Sequence, residues 1–64
     1  MDSSDVAELS SIANSLEDIL RRIDQLSRRY EGTPREDDAI RLRDVERGLG
    51  SALRRLEAAV RDLR

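Results

Sequence analysis

Tyr30-Glu31-Gly32-Thr33-Pro34-Arg35-Glu36 is the stretch that decides the fold of this chain. Glycine ends helices because it enters the left-handed conformation without the clash that a Cβ brings. Thr33 reads as the cap of a following helix. Pro34 then takes the first helical position, where its missing N–H does no harm, and Glu36 completes a capping box with Thr33. One helix therefore stops and another starts within a tight turn at Gly32-Thr33. So short a connection predicts adjacent antiparallel helices.

The residues on either side agree. Val6, Leu9, Ala13, Leu16, Leu20 and Ile23 are spaced alternately by three and four, and so are Leu42, Val45, Leu49, Ala52, Leu56 and Ala59. Folded at the turn, they pair with position numbers that always add to 65, from Val6 with Ala59 to Ile23 with Leu42. That is the heptad seam of an all-α, antiparallel helical hairpin with coiled-coil packing. The first helix is predicted over about 4–31, opened by Asp5 with Glu8, and the second over about 34–63. Residues 1–64 form a single domain.

Each helix carries more apolar surface than one seam uses. Ile12, Ile19 and Leu26 repeat at seven beside the seam of the first helix. Ala39, Leu53 and Val60 do the same in the second, with Glu46 interrupting the row. Stripes three rows wide belong to helices buried in a bundle. Ile12, Ile19, Leu26, Leu53 and Val60 are therefore the expected surface for a partner, and dimerisation into a four-helix bundle is the expected way to cover it. Ser27 falls opposite Asp38, making the turn end of the seam polar. Ile40 falls on the outside, among Arg43, Asp44 and Arg47. Gly48 and Gly50, each costing about 1 kcal/mol inside a helix, suggest close approach of a neighbouring helix.

Composition narrows the chemistry. The 64 residues are 41% charged, with Tyr30 the only aromatic and neither cysteine nor histidine. Ordering such a chain costs roughly 1.5 kcal/mol per residue, which one seam offsets poorly. Cysteine and histidine nucleophiles and zinc sites are excluded. No enzyme activity and no cofactor are expected. No apolar run is long enough for a membrane span, the N-terminal residues do not resemble a signal peptide, and a cytoplasmic location is expected.

All twelve basic residues are arginine, the usage of a GC-rich prokaryotic genome, and the net charge is −2. That gives no general attraction to nucleic acid. Acid-first pairs four residues apart, Glu17-Arg21, Asp18-Arg22, Asp24-Arg28, Asp37-Arg41 and Glu57-Arg61, are expected to neutralise one another. The first twenty residues hold five acids and no base, whereas residues 47–64 hold five arginines and two acids. The antiparallel pairing sets these ends side by side.

The function expected on these grounds is a small non-enzymatic interaction module, an adaptor, regulatory or assembly factor. Its partner would be itself or another helical protein. A second expectation is a nucleotide- or nucleic-acid-binding regulator using Arg21, Arg22, Arg28, Arg47 and Arg54. A third is an obligate small subunit of a larger complex, or a bundle scaffold without a specific ligand.

Overall fold

The computed structural model describes residues 3–63; the ends of the expected domain, Met1, Asp2 and Arg64, lie outside the described residues. Two helices of equal length, α1 (Ser3–Tyr30) and α2 (Glu36–Leu63), pack against each other along their length. Cα extents of 49 × 14 × 10 Å make the hairpin a thin rod. Charges suit both helix dipoles. Asp5 opens α1 and Arg28 and Arg29 close it; Glu36, Asp37 and Asp38 open α2 and Arg61 lies in its last turn.

The turn forms around Gly32, whose φ of +69° is the only positive one among the described residues. Thr33 works differently from the expected capping box. Its amide donates to the Tyr30 carbonyl at 3.3 Å, so it is not available to the Glu36 carboxylate. Its hydroxyl donates to the same carbonyl at 2.5 Å and accepts from the Arg35 amide at 3.1 Å. Thr33 thus closes α1 and opens α2 with one side chain. Regular α-helix begins at Glu36 rather than Pro34, because the first bond beyond the turn, from the Glu36 amide to the Thr33 carbonyl at 3.1 Å, spans three residues.

The seam of α2 is rotated from the expected one. In α1, Val6, Leu9, Leu16, Leu20 and Ile23 are half-buried and Ala13 is buried. In α2, Leu42, Leu49 and Leu56 are half-buried, but Val45, Ala52 and Ala59 are exposed. Their place is taken by the neighbouring row Ala39, Glu46, Leu53 and Val60, of which Ala39 and Val60 are buried. Ala13 meets Val60 rather than Ala52, and Ser27 meets Glu46 rather than Asp38; both pairs have position numbers adding to 73.

The physical reason lies in the width of the apolar stripe on α2. Two adjacent rows competed for α1, and the row with Leu53 and Val60 offers more bulk than the row with Ala52 and Ala59. Its one polar member, Glu46, accepts a hydrogen bond from Ser27 at 3.1 Å. Ser27 is 1% exposed and is the largest fully buried side chain. No leucine or isoleucine among the described residues is buried. The seam alone does not enclose the apolar side chains of either helix.

Candidate interaction face

The rod has two unlike broad faces. On one, Ser10, Ala13 and Asn14 of α1 and Glu57, Val60 and Arg61 of α2 line an open hollow. Glu31 of the turn and Arg43 of α2 make an ion pair on this side. On the other face, Leu26 and Tyr30 of α1 line a hollow with Arg35 of the turn and Asp38, Arg41 and Leu42 of α2.

Heptad steps from that second hollow reach the rest of the same face. Seven-residue steps back from Leu26 reach Ile19 and Ile12; seven-residue steps on from Asp38 reach Val45, Ala52 and Ala59. Ile12, Ile19 and Val45 are 46%, 43% and 45% exposed, while Leu26 is half-buried and Ala52 and Ala59 are exposed. The half-buried leucines and Ile23 of the seam lie beneath them. The result is one continuous apolar surface contributed by both helices.

The expected partner surface is therefore split. Ile12, Ile19 and Leu26 lie on this face, but Leu53 and Val60 belong to the seam. Val45, Ala52 and Ala59 complete the face instead. Sequence reasoning found these residues and gave them to the wrong surface. The signal that separates the rows is their bulk.

At the turn end, the Arg35 guanidinium lies over the Tyr30 ring, 4.3 Å from its centroid, and its Nε donates to Asp38 at 3.0 Å. The Asp38 hydrogen bond, and then electrostatic attraction to the Tyr30 phenol oxygen and to the Asp38 carboxylate, raise the Arg35 pKa. This cluster clamps the end of α1 to the start of α2.

The arginines expected to bind an anion do not converge. Arg21 pairs with Asp18, Arg28 with Asp24 at 2.9 Å, and Arg47 with Asp44 at 3.1 Å, each on its own helix. Of the expected pairs four residues apart, Asp24-Arg28 forms, while Arg21 turns to Asp18 instead of Glu17. By the same heptad steps, Arg21 and Arg28 continue the row of Asn14, and Arg47 and Arg54 the row of Arg61, along the two edges of the first hollow's face, whereas Arg22 lies on the opposite edge of α1. Acids at 17, 24, 31, 46 and 57 lie between the flanks.

Ile40 is 59% exposed on the outside of α2, away from the apolar face. No neighbouring helix presses on the interior glycines. A Cβ at Gly48 would meet nothing within 4 Å, and one at Gly50 would meet only its own helix's Arg54, at 3.6 Å. Gly48 nevertheless borders the apolar face, one turn from both Val45 and Ala52.

The chain matches no family model, no curated protein and no solved structure. Among the described residues, no group of three or more acidic side chains is arranged to hold a metal ion, and no helix is long and apolar enough to cross a membrane. The geometry offers one extended feature for recognition, and it is the apolar face.

Proposed function

We propose that this protein is a non-enzymatic helix–helix recognition module that works as a homodimer. Two hairpins lay their apolar faces together and complete a four-helix bundle, leaving the charged faces outside to serve an adaptor, regulatory or assembly role. The observation that carries this reading is the exposure of Ile12, Ile19 and Val45 on one face over a seam that buries no leucine or isoleucine.

Areas support it. A folded monomer of 7.3 kDa exposes about 4,200 Å² by the usual scaling with mass. This hairpin exposes 4866 Å². The excess of about 700 Å² is close to the roughly 800 Å² that each partner contributes to a stable interface. A second hairpin laid on the face thickens the thin rod and removes that excess.

Molar mass measured across a dilution series, with helicity followed in parallel, tests the reading. A species of twice 7.3 kDa that loses helicity only as it dissociates is the expected result. A helical monomer at all concentrations would overturn the homodimer. A largely unhelical monomer that folds on a different helical protein would make the chain an obligate subunit instead.

A further inference from the structure

We infer that the two hairpins in this dimer run in opposite directions, with their turns at opposite ends and the two-fold axis passing beside Ala52. The inference rests on the homodimer reading and adds its geometry. Two arrangements bring the apolar faces together. With the turns at the same end, α1 lies on the partner's α2. With the turns at opposite ends, α1 lies on the partner's α1 and α2 on the partner's α2.

The residues bordering the face decide between them. Along the edge of α1 they are Glu8, Ser15, Arg22 and Arg29; along the edge of α2 they are Arg41, Gly48, Arg55 and Asp62. With the turns together, levels match where position numbers from the two helices add to about 70, between the 73 of the seam pairs and the 68 of Leu26 with Leu42 at the second hollow. Glu8 then meets Asp62 and Arg29 meets Arg41, two like-charge contacts, each made twice by symmetry.

With the turns apart, an axis beside Ala52 sets Val45 of one copy against Ala59 of the other. At the same level, α1 positions of the two copies add to about 37, which sets Ile12 against Leu26 and Ile19 against its own counterpart. Glu8 then meets Arg29 of the second copy, Ser15 meets Arg22, and Arg41 meets Asp62. Every charged contact at matched levels is between opposite charges. Gly48 comes level with Arg55, whose long stem lies over bare backbone. Charge complementarity fixes orientation in this way while the apolar rows supply the burial. Small side chains at 45, 48, 52 and 59 bring the two α2 helices closer than the two α1 helices, within the usual 8–10 Å range of axial separations.

Charge reversal and cross-linking test the geometry. Glu8→Arg and Arg29→Glu should each weaken self-association by about tenfold, and the double variant should return it to near the parent value. About 21 residues separate the two on one helix, roughly 32 Å, so rescue can only pass between copies. Because the chain has no cysteine, Ala52→Cys supplies a unique thiol. It should form a disulfide-linked dimer in high yield under mild oxidation. Spin labels on Asp37→Cys, at the turn, should lie more than 40 Å apart. A label distance below about 20 Å, or a double variant no tighter than the singles, would overturn the opposed arrangement and leave the homodimer standing. A monomer throughout would overturn both.

Discussion

The Ser27 hydroxyl donates to a Glu46 carboxylate oxygen at 3.1 Å across the seam, nineteen positions apart in sequence. It also lies 3.1 Å from the Asp24 carbonyl. This contact lets a half-buried carboxylate sit in a row otherwise made of Ala39, Leu53 and Val60, the row whose bulk turns it towards α1.

Replacing the carboxylate should therefore stabilise the hairpin. Glu46→Leu completes the apolar row, and Ser27 keeps the Asp24 carbonyl as its acceptor, so no polar group is orphaned. A gain of about 1 kcal/mol is expected from the added burial, seen as a rise of roughly 4–8 °C in Tm at constant protein concentration. Ser27→Ala should do the reverse, since it leaves Glu46 half-buried without its donor. A fall in Tm for Glu46→Leu would show that the polar contact, not apolar burial, holds the seam.

The glycines should divide by backbone conformation. Gly32→Ala forces a Cβ into the left-handed region at a cost of about 1–2 kcal/mol. Gly48→Ala and Gly50→Ala meet open space or ordinary contact and should each raise helical stability by about 1 kcal/mol. Urea denaturation of the three variants distinguishes them by sign. Gly48→Ala carries a further reading, because any loss of dimer affinity from it would place the partner's backbone or side chain close to that position.

The apolar face and the outer flank should respond oppositely to the same change. Ile19→Glu places a charge in the face of each copy and should weaken self-association by at least about 100-fold. Ile40→Glu alters a more exposed isoleucine on the far side of α2 and should leave the molar mass unchanged. Sedimentation of both variants at one concentration gives the comparison.

Arg35 should matter more than its exposure suggests. Arg35→Ala removes the contacts to both Tyr30 and Asp38 and should lower Tm, whereas Arg47→Ala, whose pair with Asp44 is exposed on both sides, should leave it unchanged. Arg35→Lys keeps the charge but loses the planar stacking over Tyr30 and should recover only part of the loss.

Much of the fold was legible in the residues. The Gly32 stop, the Thr33 start and the alternating three-four spacing each have a local physical cause, and they point to the same hairpin. Rotation about the α2 axis was not legible, because spacing alone ranks two adjacent apolar rows equally. Val45, Ala52 and Ala59 kept the mirror symmetry with α1, yet Leu53 and Val60 had more to bury. Glu46 looked like an interruption until Ser27 supplied its hydrogen bond. The apolar face inherited the same ambiguity: Ile12, Ile19 and Leu26 lie on it, while the α2 rows of face and seam were exchanged. Ion pairs were legible in kind but not in partner, since Arg21 reaches Asp18 as readily as Glu17.

Equal helices and a tight turn also fix where the chain leaves the rod. Ser3 and Leu63 lie at the same pole, with Gly32 at the other end of a particle 49 Å long. A hairpin alone would therefore be a peg with both attachment points at its base. In the opposed dimer proposed above, the bases would sit at opposite poles and the bundle would be a stiff spacer. Cargo fused to one copy would be held apart from cargo fused to the other by the length of the rod.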